Sequence, residues 1–245
     1  MNSVMTLLKS HRSIRKFTEK PLADGMLEQL VSAAQGASSS NHVQAYSIIR
    51  VTDPENLAKL MALSGDQAYI QQAAEFLVFC ADMKRNTEAA ARTGIEPTMG
   101  MTEQLLVSTI DTALVAQNLT IAAESEGLGV VYIGGVRNNP EAISELLRLP
   151  EHVYPVFGMC LGYPDQDPDV KPRLPLATVL KQDYYDAQHD PVLIEQYDSE
   201  MERYYQARTG GNKSSNWSQS MAPMFSGKLR PHMRDFLISQ GFAMK

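Results

Sequence analysis

Two cysteines, one tryptophan and five histidines are spread over 245 residues, and that scarcity excludes several chemistries. Cys80 in FLVFC and Cys160 in VFGMCLG each lie inside an apolar run, which suits a buried free thiol better than a disulfide or a metal ligand. A reducing cytoplasm fits both. His11, His42, His152, His189 and His232 form no H-x-x-x-H and no Cys/His pairing at ligand spacing, so no metal is expected. There is no G-x-S-x-G elbow for a serine hydrolase. The first 20 residues hold no apolar block, so neither a secretory leader nor a membrane anchor is expected.

Two glycine motifs also fail on inspection. GLGVVYIGG supplies Gly127 and Gly129, but Tyr132 stands where a dinucleotide fingerprint needs its third glycine, and the segment runs from helix into strand. TGGNKSS lacks the G-x-x-x-x-G-K-[ST] spacing and reads as a plain loop.

What is present is an ordinary globular composition, 44% apolar and 20% charged, long enough for one sizeable core. The charge is uneven. The chain carries −6 overall, yet from Arg203 onward seven Lys and Arg face the single Asp235. That stretch also holds Trp217, Met221, Met224, Phe225, Phe236 and Leu237, too many apolar groups for a basic tail that binds nucleic acid. One domain, residues 1–245, with a basic C-terminal arm over about 190–245 that meets a small polyanion, is the expected organisation.

Local signals place helices and strands. Asp53-Pro54, Asn139-Pro140 and Asp190-Pro191 each read as an N-cap followed by a proline at the first helical position, ahead of apolar residues at helical spacing. Runs at 46–51, 75–81, 129–135 and 154–162 are rich in β-branched and aromatic residues and read as strands. Four strands among many helices indicate an α+β fold. The segment Met101–Glu126 reads as a long helix with no charge from Thr112 to Ala123, so it is expected to be buried nearly all round, in part at a subunit interface. Asp111, Gln117 and Asn118 argue against a membrane span.

HRSIR (11–15), ASSS (37–40), YIGG (132–135) and VKPRLP (170–175) remain. Taken singly, each is a solvated face or a loop. Together, arginine forks, hydroxyls and small residues suit a cofactor phosphate.

At these residues the sequence resembles the nitroreductase superfamily, in its oxygen-insensitive, NADPH-preferring nitroreductase and flavin reductase branch. HRSIRKFT, ASSS, AAEFLVFCAD, AQN with AAESEGLG, VYIGGVRNN, FGMCLGYPDQDPDVKPRLP and YYQART follow in the family's order. The resemblance implies an intertwined homodimer whose four-stranded antiparallel sheet is extended by a partner strand, with FMN at the interface. It implies that His11, Arg12, Ser13, Lys171 and Arg173 grip the FMN phosphate, that Arg15 lies near the N1/O2 edge of the ring, and that Gln67 bonds its pyrimidine side. Tyr132, Ile133, Gly134 and Gly135 would lie against one ring face, with a Gly135 N–H toward N5, and Ser38, Ser39 and Ser40 would come from the other subunit. Arg208, Lys213 and Arg230 would serve NADPH.

The implied activity is ping-pong hydride transfer from NADPH through FMN to nitroaromatics, quinones or free flavin, with no side chain as nucleophile. Arg15 would favour the anionic reduced flavin, and Gly134 and Gly135 allow a close backbone approach. Asn41 and His42 depart from the family pattern after the serine run and would line the substrate pocket; the loop 92–100 is also longer. The rival reading is a flavin-binding or flavin-sensing protein with little turnover.

Overall fold

The computed structural model describes residues 2–208, 210–212, 214–227 and 229–242. Its helices are α1 (Ser3–Lys9), α2 (Met26–Ala34), α3 (Pro54–Leu63), α4 (Tyr69–Gln72), α5 (Lys84–Ala91), α6 (Thr102–Ser125), α7 (Pro140–Leu146), α8 (Leu176–Val179), α9 (Asp190–Arg208), α10 (Trp217–Ser226) and α11 (Met233–Ser239). The strands are β1 (Tyr46–Val51), β2 (Glu75–Asp82), β3 (Gly129–Ile133) and β4 (Val153–Gly162), and single 3-10 turns occupy Ser40–His42 and Gly134–Arg137.

The chain divides into two compact units, Met1–Pro168 with Arg230–Lys245, and Asp169–Leu229. The expected arm at 190–245 is therefore not one body. Its last residues belong to the first unit, because Phe236, Leu237 and Phe242 are buried there against Ala45, Ala81, Tyr154 and Val156.

In the first unit the four strands form one antiparallel sheet in the order β1-β2-β4-β3. Alternation along β2 sends Leu77 and Phe79 to one face, against α2 and α6, and Phe76, Val78 and Cys80 to the other, with Leu60 of α3 and Ile143 of α7. A strand covered on both faces needs apolar residues at every position, which is why FLVFC shows no alternation. The predicted run 129–135 stops as a strand at Ile133, where Gly134 and Gly135 turn the chain into the 3-10 segment.

Caps follow the sequence only in part. Asp53 Oδ1 accepts from the backbone N–H of Glu55 and Asn56, both at 2.9 Å. Asn139 instead donates through Nδ2 to the Leu63 carbonyl at 2.7 Å, tying α7 to α3. Asp190 lies inside α9, where its carboxylate takes Lys181 Nζ at 2.5 Å.

α6 is long and apolar enough to cross a membrane, but Val115, Ala116, Leu119 and Ala123 are fully buried against the sheet. It is not buried all round in the single chain. Leu106, Ile110 and Leu114, at successive four-residue steps, form an exposed apolar stripe on its outer side.

In the second unit, α9 is the spine. Tyr197 and Met201 are buried, and the Tyr197 ring meets Trp217 of α10 at a centroid distance of 6.2 Å.

Candidate functional site

Ser13, Ile14 and Phe17 run between the sheet and the segment after β4. Ser13 bridges Val130 in parallel, the Ile14 N–H donates to the Val130 carbonyl at 2.9 Å, and Phe17 bridges Pro164. Gly129 permits this: a Cβ there would fall 2.5 Å from Ile14 Cγ1. The Arg15 N–H takes Gln166 Oε1 at 3.3 Å, while its exposed guanidinium has no hydrogen bond or ion pair among the described residues. A cation held by its backbone and left unpaired at its head is available to an anion.

His11 and Arg12 are engaged already. His11 Nδ1 donates to Glu124 Oε1 at 2.6 Å, and Arg12 Nη1 donates to Asp167 Oδ1 at 2.5 Å and to the Pro168 carbonyl at 3.3 Å. The cavity of about 580 Å³ beside Arg12 is lined by Glu124, Asp165 and Asp167 as well. Three carboxylates against one guanidinium make it a poor seat for a phosphate.

Gly134, Gly135 and Gln67 come together at the end of β3. A Cβ on Gly135 would stand 2.1 Å from the Ser64 carbonyl oxygen and 2.5 Å from Gln67 Nε2. Gln67 Nε2 donates to that same Ser64 oxygen at 2.7 Å, and the Tyr69 hydroxyl donates to Gln67 Oε1. In the sequence, the one mark of Tyr69's part is its place two residues after Gln67, in GDQAYI.

Tyr132 and Ile133 do not act alike. Strand alternation points them to opposite faces of the sheet: Ile133 is fully buried in the core with Val136 and Ile143, so only its backbone can meet a ligand. Tyr132 is half-buried, packs edge-on against Phe157 at 5.1 Å, and hydrogen-bonds through its hydroxyl to Thr120 at 3.1 Å. Burial pushes its phenol above the ordinary range, only partly opposed by the Thr120 bond.

Arg230, expected at the nucleotide, lies against the glycine turn, with Nε to Asn138 Oδ1 at 3.0 Å and Nη2 to the Gly134 carbonyl at 3.3 Å. Burial, followed by repulsion from Arg230, holds the Arg137 guanidinium below its usual range. Ser38, Ser40, Asn41 and His42 are exposed and Ser39 half-exposed, and the turn they form is left-handed at Asn41 and His42.

Within the second unit, Tyr197 and Tyr204 of α9 anchor the loop of Lys171 and Arg173. The Tyr197 hydroxyl donates to the Pro172 carbonyl at 2.9 Å and that of Tyr204 to Asp169 at 3.4 Å. Lys171 Nζ lies 5.3 Å over the Tyr205 ring, and Arg173 Nη1 donates to the Lys171 carbonyl at 2.7 Å. Arg208 ends α9, exposed, with Nη1 to the Tyr204 hydroxyl at 3.3 Å. Lys213 lies outside the described residues.

A sheet closed on both faces by helices, with a glycine turn pressed onto a glutamine-bearing loop, defines a class of fold as well as a site. The chain belongs to the nitroreductase family: residues 8–163 match the Nitroreductase family, and residues 171–245 the Nitroreductase family, C-terminal domain. It is 44% identical to the NADPH-flavin oxidoreductase of Vibrio harveyi and 42% identical to the oxygen-insensitive NADPH nitroreductase of Salmonella typhimurium, in both cases over 100% of each chain. Among solved structures, the NADPH:FMN oxidoreductase from Vibrio harveyi complexed with NAD+ superposes with a TM-score of 0.90 at 42% identity, covering 100% of both chains.

Proposed function

We propose that this chain is an FMN-dependent NADPH oxidoreductase that reduces nitroaromatics, quinones or free flavin. Support comes from the full-length similarity to enzymes named as NADPH-flavin oxidoreductase and NADPH nitroreductase. The observation that carries it is the seating of Gly135 on Ser64 and Gln67, which leaves a turn without side chains beside an amide oriented on both ends. The Cβ that Gly135 lacks would strike the Ser64 carbonyl and Gln67, so glycine is what seats this turn beside the fixed amide, and a flat, hydrogen-bonding ring is the ligand such a pairing of backbone and amide suits.

FMN, when bound, supplies hydride acceptance from NADPH and hydride delivery to the acceptor. The residues of this chain bind and orient. Gln67, fixed by Tyr69 and the Ser64 carbonyl, would present its amide to the pyrimidine side. Arg15 would place positive charge at the ring edge where negative charge gathers on reduction. Ser13, Lys171 and Arg173, with His11 and Arg12 if they exchange Glu124 and Asp167 for phosphate, would hold the phosphate. Arg208 and Lys213 would recognise the 2′-phosphate of NADPH; in a homodimer Ser38, Ser39 and Ser40 would contact the FMN of the other subunit, and Asn41 and His42 would line the acceptor pocket. Arg230, bonded to the Gly134 carbonyl, is better suited to bracing the glycine turn than to a distant nucleotide phosphate. A cytoplasmic location belongs to the same reading, supported by two buried free thiols.

The test is stopped-flow mixing of purified, FMN-loaded protein with NADPH, followed by turnover with a panel of nitroaromatics, quinones and FMN. Rapid bleaching and steady turnover are expected. Retained flavin that NADPH bleaches only slowly would establish the flavin-sensing alternative instead.

A further inference from the structure

Asp111, immediately before the uncharged stretch of α6, is the sole charged residue between Glu103 and Glu124, and it is 1% exposed. Its carboxylate makes no ion pair among the described residues. Instead, Oδ1 accepts the N–H of Ser40 at 3.0 Å and Oδ2 accepts the N–H of Ala45 at 3.1 Å. The two oxygens thus clamp both ends of one short loop that lies 71 and 66 residues away in the chain.

That loop needs a clamp. Asn41, His42 and Gln44 have φ of 45°, 59° and 50°, so three of four consecutive residues are left-handed and none is glycine. Asparagine and, less readily, histidine tolerate this region, but glutamine is disfavoured there by contact between Cβ and the backbone, and three such residues in four are costly together. Other ties lie within the loop, from Val43 N–H to Ser40 O at 2.8 Å, His42 N–H to Ser39 O at 3.4 Å and Gln44 N–H to Ser39 Oγ at 3.3 Å, and two more come from outside it, Asn86 Nδ2 to Val43 O at 2.8 Å and Asp82 N–H to Ala45 O at 3.0 Å. Without the carboxylate, the backbone is free to relax toward right-handed or extended conformations, which would redirect the side chains of Asn41 and His42.

We infer that Asp111 is a positioning residue that sets acceptor preference, because it holds the Ser40–Ala45 loop in the left-handed conformation that presents Asn41 and His42. This rests on the reading of those two residues as lining the acceptor pocket. Asp111 touches no acceptor; it acts through the loop. The anchor is stiff, since α6 runs for 24 residues and its inner side is packed on the sheet. Preference among acceptors is therefore written partly in a residue that no acceptor meets.

The experiment compares FMN-loaded parent, Asp111→Asn and Asp111→Ala in two readouts. The first is the ratio of kcat/KM for a one-ring nitroaromatic to that for a two-ring quinone, which is independent of the fraction of active enzyme. The second is amide hydrogen exchange across residues 40–45 in the flavin-free protein. An amide at 111 keeps one acceptor and loses the other, so Asp111→Asn should shift the ratio by about fivefold or more and speed exchange in 40–45 by about tenfold, with β2 and β4 unchanged. An unchanged ratio in Asp111→Asn, whatever its absolute rates, overturns the inference, as does unchanged exchange in the loop. Should Asp111→Ala not fold, Asp111→Asn decides alone. If the parent turns over neither acceptor, the functional reading is what has failed, and exchange still decides whether Asp111 holds the loop.

Discussion

Gly135 sits so close to Ser64 that a single added methyl would lie 2.1 Å from the Ser64 carbonyl oxygen. The obstacle is backbone, which cannot swing away as a side chain can. Gly135→Ala is therefore expected to force the turn off the loop at a cost of about 1–3 kcal/mol, lowering Tm by several degrees. Flavin should elute separately on gel filtration. A variant that keeps both the parent's Tm and its 450 nm-region absorbance, within about a tenth, would show the approach to be unimportant.

Arg173 is expected to contribute a charge-assisted bond to the FMN phosphate, worth about 1.5–3 kcal/mol. Arg173→Ala should leave the protein folded, since the side chain is exposed and, among the described residues, hydrogen-bonds to the Lys171 carbonyl alone. Flavin affinity, measured by fluorescence titration, should fall by roughly tenfold to a hundredfold. Equal affinity in variant and parent removes Arg173 from the phosphate site.

Arg208 is predicted to separate NADPH from NADH. Arg208→Ala should raise KM for NADPH about tenfold, with kcat and NADH kinetics nearly unchanged, because a remote phosphate contact is made equally in ground and transition states. Raising ionic strength should weaken NADPH binding more than NADH binding in the parent. Proportionate loss with both nucleotides would place Arg208 in the fold or the flavin site.

The exposed stripe of Leu106, Ile110 and Leu114 on α6 predicts assembly. Light scattering should return about twice the 27.1 kDa chain mass. Ile110→Asp, a change at a position exposed in the single chain, should reduce that mass and release flavin together. A parent that remains monomeric at micromolar concentration contradicts the prediction.

Burial pushes the thiols of Cys80 and Cys160 well above the ordinary range, with Asp82 adding to the effect at Cys80. A thiol pKa raised by folding means that the native state is stabilised relative to the unfolded chain increasingly less as pH climbs past about 8.5, where unfolded thiols ionise. Stability should hold below that pH and decline above it, and native protein should resist alkylation at pH 8 until it unfolds. Fast modification of either cysteine under native conditions would show that its surroundings open.

Much of this architecture is written locally. The runs at 46–51, 75–81 and 154–162 are strands within one residue of their observed ends, because β-branched and aromatic residues flanked by turn formers leave little choice. What escaped the sequence depends on distant partners. Nothing in SSSNHVQA signals three left-handed residues; the cause is Asp111, visible in sequence only as a lone acid in an apolar helix. The boundary between the two units at 168/169 carries no shift in composition, and the charge pattern that marks 190–245 does not show that residues from Arg230 onward pack with the first unit. Ile133 adjoins Tyr132 in YIGG yet faces the opposite side of the sheet, because adjacent strand residues alternate.

The first unit is discontinuous: Phe242, with its ring edge-on to Tyr154 at 5.1 Å, and the α11 residues Phe236 and Leu237 complete a core begun by Ala45 and Ala81. During synthesis that core must wait, because the ribosome has to make all of residues 169–229 before the residues that seal it exist. Until then the end of the sheet stays open, with apolar surface a chaperone could hold and a protease could reach. A chain stopped anywhere after Gly162 and before Phe236 would carry every strand and still lack its seal, so premature termination in that span should yield protein that is cleared rather than protein that is merely less active.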